Sequence, residues 1–156
     1  MPEEVTAQDN SLLIGALLRI PYSATVELME RGLSAAGYGE VRAAHLTVIQ
    51  PLWLRPEGAR TTDLAAWAHI TKPSMVYLVD HLEAQGYVER AADPSDGRAQ
   101  RVRLTPQGIE LTRTVRRLIG EIEEDWERRI GAAQMAQLKQ ILGELVASLR
   151  GSEERK

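Results

Sequence analysis

The residues with the clearest chemical potential lie between positions 72 and 103. Lys72, Ser74, Tyr77 and His81 bring hydrogen-bonding groups, with Pro73 and Val76 among them. On a helix these positions form one face. Met75, Leu78, Val79 and Leu82, at i, i+3, i+4 and i+7, form the other. A helix with one apolar stripe and a polar N-terminal face suits the major groove of duplex DNA. That groove is about 12 Å wide, and there side chains reach phosphates and base edges and Val76 could meet a thymine methyl. The free helix N-terminus also attracts a phosphate. A second group follows at Asp96-Gly97-Arg98, with Arg101 and Arg103 just beyond. Gly97 permits a tight turn, Asp96 is placed to orient the Arg98 guanidinium, and a narrow minor groove attracts an inserted arginine. Arg101 and Arg103 either join that contact or form a solvated face. This chemistry is recognition, not turnover.

The rest of the sequence supports that division. There is no cysteine, so disulfides, thiolate metal sites and thiol-based sensing are excluded. His45, His69 and His81 have no metal-ligand spacing. No phosphate-cradling glycine loop or nucleophile elbow occurs. Neither an enzyme activity nor a cofactor or metal is expected. The 156 residues, 44% hydrophobic and 26% charged, suit one folded domain with a real core. The longest apolar run, Leu12–Leu18, is broken by Gly15 and is too short for a bilayer. With no signal-peptide pattern at the start, the expected location is cytoplasmic, with no membrane partner.

Net charge is the main objection to a nucleic-acid partner. It is −3, from 19 basic and 22 acidic residues. From 88 to 104, four arginines face Glu89, Asp93 and Asp96, a local net of +1. The acidic run Glu121, Glu123, Glu124, Asp125 and Glu127 falls on a different element. Counterion release scales with the phosphates neutralised, so the expected salt dependence of binding is shallow.

Periodicity sets the elements that carry these groups. A helix is predicted over 11–35, capped by Asp9, Asn10 or Ser11, with Leu13, Leu17, Ile20, Ala24 and Leu28 as its stripe and, because Pro21 removes a backbone donor, a kink near Leu17–Ile20. A second is predicted over 40–54, with Ala44, Val48, Ile49 and Leu52 inward. A third covers 61–69, capped by Thr61 or Thr62. His69-Ile70-Thr71 connects it to a fourth over 72–85, capped by Thr71 and ended by Gly86. Strands at 87–91 and 100–104 flank a Pro/Asp/Gly-rich tip and read as a hairpin around Val88 and Val102. Thr105-Pro106 opens a long helix to about 129, with Leu111, Val115, Leu118, Ile122 and Trp126 on one stripe. A last helix covers 132–149.

Two short helices with a three-residue connector, followed by a hairpin, form a winged helix-turn-helix. Residues 45–108 resemble the multiple antibiotic resistance regulator (MarR) family. The resemblance rests on Leu64-Ala65, Leu78-Val79-Asp80-His81-Leu82-Glu83 and Gly86-Tyr87-Val88-Glu89-Arg90. It extends through Asp93-Pro94-Ser95-Asp96-Gly97-Arg98-Ala99 and Val102-Arg103-Leu104-Thr105-Pro106-Gln107-Gly108. It implies a symmetric dimer on palindromic operators, with repression usually relieved by a small ligand. It maps Arg98 to an arginine inserted in the minor groove, Asp96 to its partner and 72–77 to the base-reading segment. Tyr77 stands where a basic residue is common, which weakens any transfer of base preference. Trp67 stands where a polar residue is usual, and sensing of peroxide by cysteine cannot apply.

The expected fold is therefore mainly α with a small β wing: a winged helix-turn-helix at 40–105 and helical dimerisation regions at 1–39 and 106–156. The expected partners are double-stranded DNA and a second copy of the chain. The expected DNA contacts are Lys72, Pro73, Ser74, Val76, Tyr77, His81, Asp96, Arg98 and Arg101. Arg90 is expected to anchor the hairpin against an acid. Tyr22, His45, Ile49, Trp53 and Thr112 are candidates for binding a small aromatic or phenolic ligand, an apolar wall with a few polar handles. The dimer seam is assigned to Leu13, Leu17, Trp126, Met135, Leu138, Leu142, Leu145 and Leu149. The competing reading is a helical dimeric adaptor or small-molecule-binding protein that keeps this fold without binding DNA.

Overall fold

The computed structural model describes residues 12–153, which fold in the order α1 (Ile14–Ala35), α2 (Ala43–Trp53), α3 (Thr61–Trp67), α4 (Lys72–Ala84), β1 (Val88–Asp93), β2 (Asp96–Leu104), α5 (Pro106–Ile130) and α6 (Ala132–Glu153). The mainly helical architecture with one antiparallel hairpin is as expected. No described helix is long and apolar enough to cross a membrane. Packing divides the chain into two compact units, one ending at Arg117 and the other starting at Leu118. The boundary between these packing units falls within helix α5.

The core of the first unit gathers Met29 and Leu33 of α1, Val48, Ile49 and Leu52 of α2, Leu64 of α3 and Met75, Val79 and Leu82 of α4. Val88 and Val102, one from each strand, and Leu111 of α5 complete it. Three of the four positions of the predicted α4 stripe are buried and Leu78 is half-buried. In α2, Ala44 is exposed and His45 is buried in its place, because the helix starts at Ala43 and its inward face begins one residue later than expected. In α1 only the C-terminal half packs: Leu13, Leu17 and Ile20 are exposed. Helix α1 runs unbroken through Pro21. The cap residues expected for it, Asp9, Asn10 and Ser11, lie outside the described residues, and its N-cap position is held by Leu13.

Local chemistry fixes the helix-turn-helix. Arg60, not Thr61 or Thr62, occupies the N-cap of α3, and its side chain turns to the wing. His69 takes a left-handed φ of 53° in the connector, which reverses the chain within three residues. The Thr71 hydroxyl then accepts the Ser74 backbone N–H at 3.3 Å, and Pro73 sits in the first turn, where its missing N–H costs nothing. Replacing Thr71 with alanine is expected to cost about 1 kcal/mol of stability, read as a lower urea midpoint at unchanged slope. Gly86, with φ of 79°, ends α4 and releases the chain into β1.

The second unit has its own small core of Leu118, Ile122 and Met135. Gly131, at φ of 93°, turns the chain between its helices, and Lys139 pairs with Glu123 at 2.7 Å. Met135, one of the expected seam residues, is buried within the single chain.

Candidate nucleic-acid interface

Helix α4 presents Lys72, Pro73, Ser74 and Tyr77 to solvent, with Tyr77 72% exposed and Val76 half-buried beside them. The Ser74 hydroxyl lies 2.8 Å from that of Thr71, so it is tied to the helix cap. His81 departs from expectation. Its ring does not join the outer face but stacks on His45 of α2, with centroids 4.3 Å apart and planes 8° from parallel. The cause is helical geometry: position 81 falls on the flank of the buried stripe that meets α2.

The hairpin is longer than its strand signals indicated. Pairing runs from Val88↔Leu104 to Ala92↔Gln100 and then jumps to Asp93↔Asp96. Residues 97–99 therefore have no partner opposite them and form a bulge on β2 at the wing tip. Arg98 sits in its middle, exposed. Asp96 helps to shape it, but not as expected. Its Oδ1 accepts the Arg98 backbone N–H at 3.1 Å, and its Oδ2 lies 3.7 Å from Arg60. The carboxylate shapes the turn and leaves the Arg98 guanidinium alone.

Beneath the tip lies a clasp that sequence reading missed. Asp93 has no exposed side-chain surface. Its Oδ2 accepts from Arg60 Nε at 2.8 Å. Its Oδ1 accepts the Ser95 backbone N–H at 2.9 Å and the Ser95 hydroxyl at 2.7 Å. Arg101 Nε lies 3.1 Å from the same Oδ1, an ion pair without hydrogen-bond alignment, and Arg101 also donates to Gly58 O at 3.3 Å. The Ser95 donors, then the arginines, hold the Asp93 carboxyl well below the usual carboxylate range, against the effect of burial. The Ala59↔Val102 bridge ties the chain before α3 to β2 at the same level. The Asp-Pro-Ser turn was visible in the sequence. Arg60, thirty-three residues upstream, carried no local signal.

The other wing arginines are also engaged. Arg90 donates its backbone N–H to Glu83 at 3.1 Å and its guanidinium to Glu83 and to Asp80, the latter at 2.5 Å, which gives the anchor expected of it. Arg103 pairs with Glu89 across the strands at 2.7 Å. Among the described residues, Arg98 is the one wing arginine whose guanidinium has no ion pair. An unpaired cation keeps its full attraction for phosphate, whereas a paired one must first lose its partner.

The five candidate ligand residues differ in exposure and in their contacts. Ile49 is fully buried, Thr112 donates to Gly108 O at 2.9 Å, and Tyr22 is 67% exposed. His45 is occupied by His81 and by the start of α2. Trp53 is half-buried under the guanidinium of Arg116, 5.0 Å from its ring. Of the remaining seam residues, Leu138, Leu145 and Leu149 are exposed, and Trp126 and Leu142 are half-buried.

Residues 53–99, from the end of α2 through the wing tip, match the family model described as MarR family. Three solved structures show how widely the fold is shared. Wild-type apo MarR from E. coli aligns with a TM-score of 0.71 at 21% identity, covering 86% of this chain and 97% of that one. A MarR transcriptional regulator from Methanosarcina mazei Go1 gives 0.75 at 20% identity, covering 86% and 94%. CouR from Rhodococcus jostii RHA1, bound to p-coumaroyl-CoA, gives 0.72 at 24% identity, covering 89% and 95%.

Proposed function

We propose that this chain, a MarR-family protein by the match of residues 53–99 and by its fold, is a sequence-specific DNA-binding transcriptional regulator and not an enzyme. Proteins of this family are transcriptional regulators. The observation that carries the finer reading is the unpaired Arg98 on its bulge, next to a recognition helix whose Lys72, Ser74 and Tyr77 face outward. The helix reads the major groove and Arg98 enters the adjacent minor groove. Pairing of the other wing arginines makes the salt dependence shallow.

Two copies act together on a pseudo-palindromic site, with half-sites roughly 34–36 Å apart. Support comes from uncovered apolar side chains: Leu13 at the N-cap of α1, Ile14 and Leu17 on α1, and Ile141, Leu145 and Leu149 on α6. Repression relieved by a small aromatic or phenolic ligand fits the p-coumaroyl-CoA held by CouR, with Trp53 and Arg116 as the best-placed groups.

Selection of bound duplexes from a randomised pool, followed by nuclease protection, tests the proposal. A two-fold-symmetric sequence should be enriched. Arg98→Ala should weaken its binding by roughly tenfold, the range of one good base-reading contact, with unchanged circular dichroism. No enrichment would favour the adaptor reading, and equal binding by the variant would overturn the role given to Arg98.

A further inference from the structure

The His45–His81 stack joins the first turn of α2 to the recognition helix α4. His45 is committed twice. Its Nδ1 accepts the Arg42 backbone N–H at 2.9 Å, so that nitrogen carries a lone pair and the ring is neutral. Its face lies on His81, whose Nε2 is buried without a hydrogen-bond partner. A proton on His45 Nδ1 would remove the acceptor that caps α2. A proton added at His81 Nε2 would be a buried donor with no acceptor. A proton at either place also sets a charge against the neighbouring ring.

The two rings do not make a metal site. They lie nearly parallel, so their in-plane lone pairs do not converge on one ion, and no group of three potential ligands occurs among the described residues. What faces the pair is a set of charges. Glu30 of α1 accepts the Ala43 backbone N–H at 3.0 Å and lies 3.9 Å from Arg42. Glu40, in the segment before α2, accepts from the Tyr87 hydroxyl next to β1. Arg42 and His81 favour a neutral His45, and Glu30 and Glu40 oppose them.

We propose that the His45–His81 stack is a proton-operated latch between α2 and α4: protonation of the pair parts the two helices and weakens the protein's hold on duplex DNA. The second half of this statement rests on the DNA-binding function proposed above. The sign follows from burial. Burial first, then the charges of His81 and Arg42, hold the His45 imidazole below its ordinary value of 6.5. The unfolded chain therefore takes up this proton more readily than the folded one. The latch is complete above about pH 6.5 and its contribution is lost as the pH falls below that value.

Thermal unfolding at about pH 7.5 and about pH 5.5 tests the latch without DNA. His45→Gln keeps an acceptor at the third helical position but cannot be charged, and His81→Phe keeps a stacking ring. On acidification the wild type should lose about 3 °C more Tm than either variant. Its affinity for the selected duplex should fall about tenfold while the variants stay flat. Equal Tm loss in all three proteins overturns the latch. If His45→Gln does not fold, His81→Phe and the His45 imidazole proton resonance of the wild type decide, and a His45 ring titrating at the free-imidazole value overturns the latch. A Tm difference without DNA binding at either pH supports the latch and rejects the DNA reading instead.

Discussion

Asp93→Ala should weaken operator binding at least as much as Arg98→Ala, by about tenfold or more, although Asp93 touches no DNA in the proposed complex. The carboxylate gathers Arg60, Arg101 and the Ser95 donors beneath the wing tip. Without it, both guanidiniums lose their shared carboxylate, and Arg60 is left to Asp96, which already lies 3.7 Å away. The turn that places Arg98 depends on Asp96 accepting the Arg98 backbone N–H, so the bulge loses its shape. Helical content should survive, because the clasp lies outside the main core. Binding titrations beside circular dichroism check this. Wild-type affinity with intact helices would show that the tip is ordered by DNA itself. The clasp also sets an acid limit. The folded carboxyl is held below its ordinary value of 3.8, so its stabilisation is complete above that value and is lost as the pH falls through the carboxylate range.

Gly108→Ala should be the most damaging small substitution, costing about 3 kcal/mol of stability. A methyl group there would overlap the Tyr87 carbonyl oxygen and lie 3.0 Å from its carbon and 3.2 Å from Leu104 Cδ2. The obstruction is backbone and cannot rotate away. The same carbonyl accepts the Thr105 N–H at 3.1 Å, and the Thr105 hydroxyl donates to Gly86 O at 2.5 Å while accepting the Gly108 N–H at 3.1 Å. These bonds lock the start of α5 against the end of α4 and the start of β1. The expected result is a much lower denaturant midpoint. A loss under about 0.5 kcal/mol would mean that the junction relaxes freely.

Much of this was legible in the chain itself. The α4 stripe, the Thr71 cap, the Gly86 stop and the inward pair Val88 and Val102 follow from period and local chemistry, and the structure has them all. Long-range polar pairing was not legible. Arg60 meets Asp93 only because the Ala59–Val102 bridge lays two distant segments side by side. The stacking of His81 on His45 was not legible either, because a flank position on a helix can face a groove or a neighbouring helix, and only the packing of α2 decides. In α1 the buried residues are Met29 and Leu33, not the predicted stripe, whose Leu13, Leu17 and Ile20 are exposed, and periodicity does not say whose surface an apolar stripe meets.

Arg90 carries a mechanical consequence. It stands on β1 and clamps two carboxylates of α4, Asp80 and Glu83, so hairpin and helix are cross-braced like the jaws of a fixed caliper. The span between their two contact points is then a constant of each protomer. In the proposed dimer, any tolerance for operators of different length has to come from rotation of one copy against the other.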